Sequence, residues 1–150
     1  MRITEIDLEI EDIEWYGVDE NGRIAQFTSG GSKLIPEFIC ESRERLGVVS
    51  EFFENFSPDI VEEVTFSEEA SKYPRNEYLQ ECKKISQKGL YCFDTSDEED
   101  ITCGYILISK PSCELLVSDL PETIQRILLN YKMPNINFMN NKIISIEKAY

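Results

Sequence analysis

The sequence predicts an α+β domain with a mainly antiparallel sheet and about three helices packed on one face. Three observations predict it. Runs rich in β-forming residues lie side by side without an intervening helix, at 13–28 and 90–110. Runs with apolar residues every three or four positions stand at 36–56, 75–88 and 120–131. The two kinds of run do not alternate, so a chain of βαβ units is not indicated. At 150 residues, with 41% hydrophobic and 11% aromatic side chains, the chain fits a single domain spanning 1–150.

Residues 3–10, ITEIDLEI, place Ile6, Leu8 and Ile10 on one parity with acids on the other, the pattern of a strand with one wet face. Ile3, Ile6, Ile10 and Ile13 also recur at helical steps, so both readings stay open. IEWYGVD (13–19) and RIAQFTS (23–29) flank Asn21-Gly22. Asn-Gly between two such runs signals a hairpin, with a type I′ turn that needs two residues at positive φ. The exit, SGGS at 29–32, lacks the frame of a phosphate-binding loop and reads as a sharp turn out of the strand, with an anion site ahead of the next helix as the competing use.

From Pro36 the apolar positions 35, 38, 39, 46, 49, 52, 53 and 56 predict one helix, closed by Ser57-Pro58. Residues 60–66 fit a strand or a loop. Tyr78, Leu79, Cys82 and Ile85 share one face of a helix over 75–88, with Gly89 after its end. LYCFDT (90–95) and CGYILISK (103–110) predict an antiparallel pair around the acidic loop 96–100, and ELLVSD (114–119) a further short strand. Asp119 and Glu122 are spaced as a capping box before a helix with Ile124, Ile127, Leu128 and Tyr131 on one side. The last β region, 135–148, has Asn140-Asn141 as its turn.

Composition excludes several functions. There is no histidine, which removes the usual general base and the commonest metal ligand. The five cysteines, at 40, 82, 92, 103 and 113, include no C-x-x-C pair and read as free, mostly buried thiols in a reducing compartment. Asp19, Glu20 and Asn21 begin like a calcium loop but the pattern is not completed, so no metal or other cofactor is expected. No apolar run approaches the ~20 residues of a membrane span, and the N-terminus has no apolar core of a signal peptide. A cytoplasmic protein is expected.

The net charge is −14, and the acid is clustered. Residues 1–22 hold eight acids, residues 51–70 seven, and residues 94–100 five, while the other stretches are slightly basic. Such a field also serves solubility. It repels nucleic acid and anionic membranes and attracts a basic protein. The candidate contact residues are Glu62, Glu63, Glu68 and Glu69, the loop Asp97, Glu98, Glu99 and Asp100, and whichever ring of Trp15 and Tyr16 faces away from the core. Runs of consecutive exposed acids are poor catalysts, because nothing shifts their pKa, so no catalytic residue is assigned.

DIEWYGVDENGRIAQFTSGG (12–31), followed by IPE, and the later SDLPETIQRIL resemble small acidic bacterial proteins of the polymorphic-toxin immunity type. The resemblance covers about a third of the chain and rests on strand, turn and cap motifs. It implies a non-catalytic antagonist that docks an acidic surface on a basic toxin. The alternative is a small carboxylate-based enzyme or ligand-binding domain. The sequence leaves the oligomeric state open.

Overall fold

The computed structural model describes residues 1–72, 76–95 and 104–150. In chain order the elements are α1 (Glu5–Ile10), β1 (Glu14–Val18), β2 (Ile24–Thr28), α2 (Glu37–Cys40), α3 (Arg43–Asn55), β3 (Val64–Phe66), α4 (Asn76–Gln87), β4 (Tyr91–Thr95), β5 (Gly104–Pro111), α5 (Glu122–Leu128) and β6 (Ile143–Ser145). The expected α+β class is observed. The sheet, however, is mixed. Its order is β1-β2-β4-β5-β3, with β6 also on β5, and β2 and β4 run parallel. The long connection between them, carrying α2, α3, β3 and α4, lets the chain re-enter in the same direction, which a tight hairpin cannot do.

Helical segments cover both faces, not one, and five α-helices form among the described residues where about three were expected. Successive strand residues point to opposite faces. Trp15 stacks on its cross-strand partner Phe27, with ring centroids 4.1 Å apart, and meets Phe38 of α2 edge-on. Phe27 in turn stacks on its partner Phe93 in β4 at 5.1 Å. Tyr16, on the other face, packs against Phe53 of α3 at 5.0 Å. On the Trp15 face the indole Nε1 donates to Tyr105 Oη at 3.1 Å, and that hydroxyl donates to the Leu34 carbonyl. The Trp15 and Tyr105 rings are thus buried with their polar atoms paired.

Residues 5–10 are helical, so the strand reading of 3–10 gives way. Thr4 and Asp7 form a reciprocal cap: Asp7 N–H donates to Thr4 Oγ1 at 3.2 Å and Thr4 N–H to Asp7 Oδ2 at 2.8 Å. Only Leu8 of the helix is buried; Ile6 and Ile10, which both patterns had placed on the apolar face, are exposed. The predicted helix from Pro36 is two helices. The break falls in the apolar gap between positions 39 and 46, where Ser42 Oγ accepts from Arg45 N–H at 3.2 Å and starts α3.

The first hairpin is present, but its turn is not type I′. Gly22 alone has positive φ, +81°. Asp19 N–H donates to the Arg23 carbonyl and Gly22 N–H to the Asp19 carbonyl, a three-residue loop closed by a left-handed glycine. The glycine pair at 30–31 also lies at positive φ, and Gly30 N–H donates to Asp12 Oδ1 at 2.8 Å. A carboxylate of the chain itself takes the place an anion would use.

Residues 114–119 are not a strand. Leu116 makes an isolated bridge to Arg23, and Val117–Asp119 is a 3-10 turn. Asp119 Oδ2 accepts from Leu116 N–H behind it, and α5 starts after Pro121 without a side-chain cap, so the expected Asp119–Glu122 box is replaced. The last β region shrinks to β6; Asn137 instead folds 137–141 into a turn through Met139 and Asn140 N–H groups.

Candidate functional site

Ion pairs decide which acidic patches present charge. In residues 1–22, Lys33 Nζ lies 2.9 Å from Glu5 and 2.8 Å from Glu9, and Arg43 reaches Asp7 at 3.2 Å and Glu11 at 3.0 Å. Asp12 is held by Gly30 and Asp19 by Arg23. Most of the N-terminal acid is therefore spent inside the fold. Residues 51–68 differ. Glu51, Glu54, Asp59, Glu62, Glu63 and Glu68 make no ion pair among the described residues. The same stretch exposes Ile60, Val61 and Phe66, with Ile60 72% accessible, and Val48 is exposed just before it.

Glu62 and Glu63 lie on the exposed connection between α3 and β3, where with Ile60 they border a hollow of about 200 Å³. Glu68 and Glu69 stand in the 3-10 turn after β3, Glu68 exposed and Glu69 half-buried. β3 is an outer strand of the sheet. The four acids thus lie on one continuous segment next to a sheet edge. Asp97, Glu98, Glu99 and Asp100 lie outside the described residues.

Neither ring of Trp15 and Tyr16 faces away from the core as expected. Both are buried, at 0% and 2% exposure, because this sheet is covered on both faces. Alternation along a strand separates the two rings but leaves neither in solvent.

Sequence reasoning missed a cleft of about 510 Å³ between the end of α3 and α4, floored by the sheet. Tyr16 and its cross-strand partner Gln26 form the floor. Glu14 lies one step along the same strand face, while Glu54 of α3 and Glu81 of α4 stand on the rim. Glu14 remains exposed as a residue, yet its carboxyl is pushed above the ordinary value by desolvation, then by the charges of Asp12, Glu81 and Glu54. Gln26 is 7% exposed, and its side-chain amide opens to the cleft; the one fully buried side-chain polar atom without a partner among the described residues is Tyr131 Oη. The only sequence signal was a polar residue at an inward position of β2.

Beyond the cleft, α4 meets β4 through polar groups. Tyr78 donates its hydroxyl to Asp94, and Thr95 N–H donates to the same carboxyl at 2.7 Å. Burial raises the Asp94 pKa against those hydrogen bonds. Cys82 and Cys92 adjoin in this layer; the hydrogen bond from Cys92 lowers the Cys82 thiol pKa, and the Cys92 thiol is raised. Cys40, Cys82, Cys92 and Cys113 are free thiols, and only Cys113 of these is exposed. Cys103 lies outside the described residues. Among the described residues no three His, Cys, Asp or Glu side chains converge as a metal site, and no helix is long and apolar enough to cross a membrane.

Comparison with known proteins found no matching family model, no matching curated protein and no matching solved structure.

Proposed function

We propose that the chain is a non-catalytic protein-binding protein, an immunity-type antagonist that neutralises a basic toxin by docking an acidic surface on it. One observation supports this best: the carboxylates without ion pairs and the exposed apolar side chains share one segment, 48–68. Unpaired charge steers a basic partner, and apolar side chains bury area once it arrives. Co-expression with the product of the neighbouring gene tests the reading. The chain should co-purify with that product and restore growth, and Glu62→Lys with Glu63→Lys should abolish both. Growth rescue that is indifferent to this charge reversal, or no complex at all, overturns it.

The alternative, a small carboxylate-based enzyme or ligand-binding domain, has the raised carboxyls of Glu14 and Asp94 in its favour. Asp94 is engaged by Tyr78 and Thr95, which leaves Glu14 as the one such group beside open space.

A further inference from the structure

We propose that Cys82 of α4 and Cys92 of β4 form a reversible oxidation site, at which a hydroperoxide joins the two thiols into a disulfide. The proposal goes beyond the docking reading and does not depend on it.

The fold brings the two sulfurs together. Cys82 and Cys92 stand ten positions apart in the chain, on a helix and on the strand beneath it. Both are buried in one small cluster with Ala70 and Ile108, and their thiols are hydrogen-bonded to each other. Ser109 of β5 ties the two elements. It faces Cys92 across the ladder, and its hydroxyl donates to the Cys82 carbonyl at 3.2 Å. Ser86, one turn further along α4, meets the same hydroxyl at 2.7 Å.

Cysteines that serve only as small hydrophobes need no such polar company. Cys40 is of that kind: burial pushes its thiol up to about 11. At Cys82 burial is outweighed. The hydrogen bond from Cys92 holds the Cys82 thiol below its ordinary value, while Cys92, which keeps the proton, is raised. The two sulfurs therefore differ in role. Cys82 supplies the attacking thiolate and Cys92 the thiol that resolves the intermediate.

The reaction balances with hydrogen peroxide. The Cys82 thiolate attacks one peroxide oxygen. An S–O bond forms, the O–O bond breaks, and the hydroxide that leaves takes a proton from solvent to become water. The Cys92 sulfur then attacks the sulfenic sulfur. The S–S bond forms, the S–O bond breaks, and the hydroxyl leaves with the Cys92 proton as a second water. Two thiols are oxidised and one peroxide is reduced. Each sulfur belongs to a residue only 3% exposed, which favours an oxidant this small. A dithiol reductant restores the thiols by exchange. While it lasts, the bond fastens α4, one wall of the cleft, to the sheet.

The test is peroxide treatment of the folded full chain, then unfolding, alkylation and peptide mapping without reduction. Two of the five thiols should escape alkylation, and trypsin should release residues 76–83 joined to 89–126. The second peptide also carries Cys103 and Cys113, so mapping is repeated with Cys103→Ser and Cys113→Ser combined. The same link should form there, and dithiothreitol should remove it. In the wild type Cys82 should be oxidised roughly ten-fold faster than Cys40, as the difference in thiolate fraction less the loss of nucleophilicity requires. In Cys92→Ser, dimedone should trap Cys82 as a sulfenic acid, a product that a purely structural thiol does not give. Oxidation of Cys82 no faster than of Cys40, or a link from Cys82 to Cys103 or Cys113, overturns the assignment. The wild-type map decides even where a variant fails to fold.

Discussion

The carboxylate of Asp19 accepts a hydrogen bond from the backbone N–H of Phe138 at 3.0 Å, across 119 residues of sequence. The same carboxylate accepts from Asn21 and Arg23 N–H, each at 2.9 Å, and faces the Arg23 guanidinium at 3.4 Å. Its side chain is wholly buried. One acid therefore shapes the hairpin loop and anchors the C-terminal segment to it. Asp19→Ala strands several N–H groups and a cation, and should cost ~3–5 kcal/mol in urea unfolding. A loss below ~1 kcal/mol would mean that water replaces these bonds freely.

Gly22 closes that loop at φ +81°, with nothing within 4 Å of where a Cβ would stand. Any penalty on substitution is then backbone strain and not collision. Gly22→Val should destabilise by about 1–2 kcal/mol, because a β-branched residue resists positive φ. Equal unfolding midpoints for the two proteins would show that the loop re-forms with another geometry.

Asp94 gives the stability a pH dependence of unusual sign for a carboxylate. Its folded pKa lies above the ordinary value of 3.8, chiefly from burial. The folded state holds the proton more tightly, so this contribution is complete below the unfolded pKa and is lost as pH rises through the folded one. Asp94→Asn keeps an acceptor for Tyr78 and removes the ionisation. The variant should be more stable than the wild type at neutral pH, and the difference should shrink as the pH falls toward 4 in urea titrations followed by circular dichroism. A gap that widens on acidification would show that the Tyr78 bond outweighs burial.

How much of this was legible depends on the range of the interaction. The β1–β2 hairpin and α4 were readable because Asn21-Gly22 and the spacing of Tyr78, Leu79, Cys82 and Ile85 are local signals. The parallel β2–β4 pair was not, since nothing in either strand encodes its distant neighbour. Residues 5–10 misled because Ile6 and Ile10 are apolar yet exposed, while the deciding signal was the cap between Thr4 and Asp7. The acids were visible as patches, but the counter-ions Lys33 and Arg43 that quench the first patch come from elsewhere in the chain. The cleft was invisible, because Glu14, Gln26, Glu54 and Glu81 meet only through the fold.

The docking reading divides its energetics between two sets of residues, and kinetics separate them. Steering by surface charge typically gains ~10–10³ in association rate and fades as salt shortens the screening length. Neutralising Glu62, Glu63, Glu68 and Glu69 together should therefore slow association by roughly ten-fold at low salt, with little difference at high salt. Glu62, Glu63 and Glu68 are exposed and Glu69 is half-buried on the same segment, so the fold should survive. The loop Asp97, Glu98, Glu99 and Asp100 is neutralised as a second set, to ask whether it adds to the same field. Ile60 and Val61 are the exposed apolar anchors, and Ile60→Ala with Val61→Ala should appear in the dissociation rate. Trp15→Ala serves as the contrast: its ring is buried in the stack with Phe27, so it should cost ~3–5 kcal/mol of stability and act on binding only through unfolding. Stopped-flow association and dissociation at two ionic strengths decide the matter. Association rates that ignore both the four-acid variant and salt would remove electrostatic steering from the function of this chain.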